Sequence, residues 1–186
     1  IRAHEKPCQI HNNCSGKHSG FLTANRHIGG GPEYIDPDHP LQRMVRQATE
    51  EVTGAEVRGF AIDGCSAPNF AVPLKGLATA MARFATPEAS FTGARARAAR
   101  RLREAMAAHP ELVSGEGRAT TALIRACRGR AVVKSGAEAV FTAILPERGL
   151  GIALKVDDGG EHHVGGAVDQ VVAGADLQRF EQQAMC

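Results

Sequence analysis

Ala131-Val132-Val133-Lys134-Ser135-Gly136, Ala139-Val140-Phe141-Thr142-Ala143-Ile144-Leu145 and Leu150-Gly151-Ile152-Ala153-Leu154-Lys155-Val156 follow one another closely near the end of the chain. Each run is apolar, short and bounded by turn-forming residues, and Pro146-Glu147-Arg148-Gly149 joins the last two. Such spacing predicts three strands in an antiparallel meander. Upstream the pattern is mostly helical. Lys17 to Ile28 suits a buried helix that opens on hydroxyl and glycine residues and is stopped by Gly29-Gly30-Gly31-Pro32. In 37–53, Leu41, Met44, Val45, Ala48 and Val52 fall on one side of a helix, with Pro40 in its opening turn and Gly54 at its end. Leu74 to Phe84, 92–108 and 118–127 read as three more helices, and 164–184 as a closing one. Val57 to Ile62 is a short strand that delivers Asp63-Gly64-Cys65 at its tip. The expected class is therefore α/β in the α+β sense, with helices packed on an antiparallel sheet.

The chain has 186 residues, enough for one domain with a real core. Its composition, 43% apolar and 23% charged, is that of a globular protein, but aromatics are only 4% and Trp is absent, so the core must rest on Ala, Val, Leu and Ile. A net charge of +2 does not favour nucleic acid or an anionic membrane as partner. The basic run Arg95 to Arg103 spreads its Arg residues around a helix and reads as a solvated face. No apolar stretch reaches the length of a membrane span, and no secretory signal is visible, which points to the cytoplasm. Five cysteines at 8, 14, 65, 127 and 186 are odd in number and irregular in spacing. They do not form a disulfide framework and are read first as metal or catalytic groups.

Two stretches set a cysteine among small polar residues: His11-Asn12-Asn13-Cys14-Ser15-Gly16-Lys17-His18-Ser19-Gly20 and Gly59-Phe60-Ala61-Ile62-Asp63-Gly64-Cys65-Ser66-Ala67-Pro68-Asn69. Such segments make poor core but suit a site. With Val132-Val133-Lys134-Ser135-Gly136 they are expected to build one active site. Cys14 and Lys17 are three apart and share a helix face. Two thiolates from separate elements can bind one zinc, leaving a position open where three protein ligands are present. The third ligand is His11 or Lys17. Imidazole is the commoner nitrogen donor, whereas lysine must first lose its proton. Against this stands the plainer reading that two cysteines far apart in sequence are small buried hydrophobes. Cys8, Cys127 and Cys186 have no polar constellation and read as core or surface thiols. His162-His163 reads as a solvated turn, and Arg118, Arg125 and Arg128 as surface residues of a helix.

Lys134-Ser135-Gly136 has the K-[ST]-G form found on an active-site strand of β-lactamases and penicillin-binding proteins. The nucleophile motif that accompanies it there, S-x-x-K, is missing: no serine in the chain has lysine three positions later.

Together, His11–Leu22, Gly59–Asn69 and Val132–Val140 resemble the asparaginase II family, the zinc-containing Rhizobium-type (class 3) L-asparaginases. The resemblance implies a serine β-lactamase/glutaminase-like fold in a single domain over 1–186 and hydrolysis of L-asparagine to L-aspartate and ammonia. It also implies zinc on Cys14, Lys17 and Cys65, which replaces His11 by Lys17. Asp63 would hold a water on the ion or the substrate's polar groups, and Lys134 would partner a serine hydroxyl in proton transfer. The family's paired serines precede its Cys-Ser-Gly-Lys motif, and only thirteen residues precede Cys14 here. The resemblance thus implies a C-terminal portion with little activity alone, or a zinc-binding remnant without turnover. A glutaminase or β-lactamase-like hydrolase of the same fold is the further alternative. The partner expected is the small-molecule substrate, with no nucleic acid or membrane, and a homodimer is compatible with such enzymes.

Overall fold

The three late runs are apolar at nearly every position, so both of their faces call for cover, and the protein supplies helices on each side. The computed structural model describes residues 6, 8 and 12–159. The expected helix at 164–184, His162-His163, His11 and Cys186 lie outside the described residues. Two compact units divide between Pro73 and Leu74.

In the first unit, α1 (Ser15–Ile28) and α2 (Pro40–Thr53) precede a two-stranded hairpin of β1 (Phe60–Ile62) and β2 (Pro68–Phe70). Gly29 and Gly54 close the two helices in the left-handed conformation that glycine adopts without strain. His39 caps α2, its Nδ1 accepting from Leu41 N–H at 3.1 Å. Leu41, Gln42 and Val57 are buried. Val57 is pinned to α2 at both ends of its peptide unit: its N–H donates to Glu50 Oε1 at 3.0 Å and its C=O accepts from Arg46 at 2.9 Å. This clamp replaces strand pairing at Val57, so the strand begins three residues later than the sequence pattern implies. α1 is not the buried helix expected from its apolar residues: Asn25 is its one buried side chain, and Leu22 is 51% exposed.

The second unit contains α3 (Leu74–Ala85), the short α4 (Pro87–Ser90), α5 (Gly93–Ala108), the short α6 (Pro110–Ser114) and α7 (Ala119–Cys127). The meander follows as β3 (Val132–Ser135), β4 (Val140–Leu145) and β5 (Leu150–Lys155), antiparallel in the order β3-β4-β5. Val132 pairs with Ile144, Lys134 with Thr142, and Ala143 with Ile152. Successive residues of a strand point to opposite faces. Val133, Phe141, Ala143 and Leu145 pack with Ile124 and Cys127 of α7. Val132 and Ile144 pack on the other face with Ala85, Met81 and Phe84 of α3 and Met106 of α5. Helices therefore cover both faces of this antiparallel sheet, and the mixture of helices with antiparallel strands is that of the α+β class. Cys127 is a core residue, and burial pushes its thiol pKa up.

The basic helix is α5, and Arg97, Arg100 and Arg101 are exposed on it. Arg103 departs from the solvated reading: it donates to the C=O groups of Phe84 at 3.2 Å and Ala85 at 2.8 Å, tying down the unsatisfied carbonyl end of α3. Arg125 pairs with Glu116, at 2.9 Å for one of its two bonds. Arg128 caps α7 in a left-handed conformation. Among the described residues, no helix is long and apolar enough to cross a membrane.

Candidate metal centre

Local hydrogen bonding places each cysteine. Asn12 Oδ1 accepts from Cys14 N–H at 2.7 Å, and Asn12 C=O accepts from Ser15 N–H at 3.1 Å. This asparagine turn fixes the residue just before α1, so Cys14 precedes the helix and Lys17 follows in its first turn. At the other side, the β1–β2 hairpin is closed by Asp63 N–H to Ala67 C=O at 2.9 Å and Ser66 N–H to Asp63 C=O at 2.8 Å. Ser66 takes a positive φ of 71°, uncommon for a residue with a Cβ, and this tight tip presents Asp63 and Cys65 together.

The two elements converge. The ligand atoms of Cys14, Asp63 and Cys65 all lie within 4.8 Å of one another. Lys17 Nζ donates to Asp63 Oδ2 at 2.9 Å, and the Cys65 thiol donates to the same oxygen at 3.5 Å. Asp63 Oδ1 accepts from Gly64 N–H at 2.8 Å. All three putting forward donor atoms are half-buried, which shields the cluster without closing it.

Each titration follows from these contacts. The Lys17 ammonium and then the Gly64 N–H hold the Asp63 carboxyl below the usual carboxylate range. Burial favours the neutral amine of Lys17, but hydrogen bonds to Asp63 and Cys65 and the charges of both cysteines outweigh it, so its pKa moves up. Burial and a hydrogen bond with Cys65 push the Cys14 thiol up, with Lys17 opposing.

A tetrahedral ion with thiolate bonds of about 2.3 Å needs sulfurs roughly 3.8 Å apart, and a carboxylate or amine donor slightly closer. The convergence of two thiols with oxygen and nitrogen donors fits such an ion. The donor atoms already in place are two sulfurs and a carboxylate oxygen. Lys17 becomes a donor only by giving up the proton it now shares with Asp63.

The second unit carries Lys134 at the end of β3. The lysine is exposed, and its ammonium bonds to the Ser135 C=O. Ser135 Oγ accepts from Thr120 Oγ1 at 3.2 Å, linking the strand to α7. Beyond Gly136, Glu138 and Ala139 take positive φ values of 53° and 55°, so the turn into β4 is a strained one.

Of the residues singled out from the sequence, Cys14, Lys17, Asp63 and Cys65 therefore form one cluster in the first unit. Asn12 was not among them, although an asparagine three positions before a helix start is a recognisable turn former. Unexpected too is a group of buried polar atoms around α1 and α2. His18 Nδ1 bonds to Tyr34 Oη at 2.7 Å, and Gln42 Nε2 donates to Tyr34 C=O at 2.8 Å.

No protein of curated function matches the chain. The family model for L-asparaginase II matches residues 1–185, which is nearly the whole sequence. The chain belongs to the L-asparaginase II family.

Proposed function

We propose that the chain is a zinc-containing L-asparagine amidohydrolase, converting L-asparagine and water to L-aspartate and ammonia. The observation that carries this reading is the meeting of Cys14, Cys65, Asp63 and Lys17 at one point in a chain of the L-asparaginase II family. Cys14, Lys17 and Cys65 are the zinc ligands in this reading. When bound, zinc supplies a positive charge that polarises a carbonyl or acidifies a water.

The chain's own residues do the rest. Lys17 would hold the ion as a neutral amine, which requires loss of the proton it shares with Asp63, and a neighbouring cation favours that neutral form. Asp63 would then be released from its ion pair and, as a carboxylate, would accept hydrogen bonds from the substrate's polar groups, its ammonium above all. Lys134 is the proton-transfer lysine, partner to a serine hydroxyl, and acts as a base only in its neutral form. Both units belong to one asparaginase II-like domain of the serine β-lactamase type. The antiparallel sheet with Lys134 and Ser135 on its first strand, Gly136 just beyond it, and helices on both faces supports that fold.

One observation favours a second reading, zinc binding without turnover: no serine in the chain has lysine three positions on. Ammonia release by the zinc-loaded chain separates the two. The proposal expects ammonia from asparagine that disappears when zinc is stripped. Glutamine is the proper competitor, since one methylene is worth about 1–3 kcal/mol in a pocket. Zinc held tightly with no ammonia from either amide, or from a β-lactam ring, would establish the second reading instead.

A further inference from the structure

The two thiols that meet at the candidate centre also have a chemistry of their own. Cys14 and Cys65 are about fifty positions apart in sequence, yet their sulfurs lie within 4.8 Å of each other. A disulfide needs about 2.05 Å between sulfurs, so the gap to close is less than roughly 3 Å. Both side chains are half-exposed, open to a small oxidant. Cys65 sits on a hairpin tip between two three-residue strands, and the two backbone bonds that close the tip are made by Asp63, Ser66 and Ala67 rather than by Cys65.

We propose that Cys14 and Cys65 are a redox couple: a hydroperoxide converts them to a disulfide, and the centre thereby loses both sulfur donors and releases its metal. This deepens the metal reading above and rests on it. In the first step one thiolate attacks a peroxide oxygen. The S–O bond forms, the O–O bond breaks, and the leaving oxygen departs as water or alcohol after taking a proton. In the second step the other sulfur attacks the resulting sulfenic acid. The S–S bond forms, the S–O bond breaks, and hydroxide leaves as water with the second thiol's proton. Two electrons pass from the sulfur pair to the O–O bond, so two thiols and one hydroperoxide give one disulfide, one water and one further water or alcohol. A dithiol reductant reverses the process by exchange.

The fold keeps one further thiol out of this chemistry. Cys127 is 3% exposed among Ile124, Val133 and Phe141, and its thiol is held protonated by burial. Once the disulfide has formed, the donors left in the cluster among the described residues are Lys17 and Asp63, which are paired with each other at 2.9 Å. An amine and a carboxylate engaged in their own ion pair are a poor site for zinc, so reloading requires reduction first.

The test uses a Cys8→Ser background, because Cys8 and Cys14 fall in one tryptic peptide and would otherwise confuse the mapping. Zinc-loaded protein is titrated with hydrogen peroxide. The expected result is loss of two thiols per chain, release of the bound zinc, and a cross-linked peptide pair joining Cys14 to Cys65, all reversed by dithiothreitol. Zinc-stripped protein should form the same link, which keeps the thiol chemistry measurable apart from the metal. A zinc-loaded protein whose Cys14 or Cys65 goes to sulfinic or sulfonic acid without a link would overturn the proposal. So would a link that leaves zinc bound. Failure of the untreated protein to bind zinc would instead overturn the metal reading on which the release step depends.

Discussion

Cys65→Ser is expected to lower zinc affinity by more than about 100-fold, since even a group that only supports a ligand is worth 10–100-fold. A serine hydroxyl does not ionise at neutral pH and cannot replace a thiolate as a zinc donor. The fold should survive, because Cys65 is a half-exposed residue of a hairpin tip and its thiol bonds within the cluster rather than to the core. Metal content by elemental analysis after dialysis reads the first effect, and an unchanged unfolding midpoint of the zinc-free proteins reads the second. Zinc retained at the wild-type level would remove Cys65 from the ligand set. Lys17→Arg refines the same experiment. Arginine keeps a cation beside Asp63 but does not deprotonate and so cannot bind the ion. Loss of zinc in this variant is expected if Lys17 is the nitrogen ligand. Retention would assign the third donor to Asp63, which already lies within 4.8 Å of both sulfurs.

The second large effect is on stability, in the other unit. Gly151 lies where β5 meets α3, and a Cβ added there would stand 2.0 Å from Ala82 N and 2.2 Å from Ala78 O. These are backbone atoms of a helix and cannot rotate away. Gly151→Ala must therefore push α3 off the sheet and open the cluster of Ala85, Val132 and Ile144. Overpacking a core costs about 1–3 kcal/mol where side chains can adjust, and a backbone obstruction belongs at or above the top of that range. Gly20→Ala is the matched control: it lies in α1 with nothing within 4 Å of its added Cβ. That change should stabilise by about 0.5–1 kcal/mol through the entropy of the unfolded chain. Urea midpoints of the two variants should move in opposite directions.

The long apolar runs were readable because their period and their boundaries agree. β4 and β5 stand where 139–145 and 150–156 were expected, and Gly149 takes the left-handed turn between them. The same holds for α2, whose Pro40 start and Gly54 stop are both chemical signals. β2 and α6 were not readable. Pro68-Asn69-Phe70 is three residues long with a proline, and it is a strand because β1 lies opposite, with Phe60 beside Phe70 and ring centroids 6.4 Å apart. Pro110–Ser114 is barely more than one turn, too short to show a period. Arg103 looked like its neighbours in a basic run, and only the end of α3 makes it a capping group.

The site divides along the same line. The three-residue spacing of Cys14 and Lys17 suggested one helix face, and the structure sets Cys14 at the residue before α1 with Lys17 in its first turn. The approach of Cys65 to Cys14 is a tertiary fact that no spacing contains, and the family's motifs were the signal for it. Asp63 was assigned to water or substrate, and its pairing with Lys17 adds a structural role: it holds the lysine charged beside the thiols until something displaces it.

Zinc-edge X-ray absorption on the zinc-loaded wild-type chain tests the centre most directly. Two sulfur scatterers at about 2.3 Å with lighter nitrogen or oxygen donors near 2.0 Å are predicted. A spectrum with no sulfur in the first shell would contradict the account, because the ion would then be bound somewhere other than between Cys14 and Cys65.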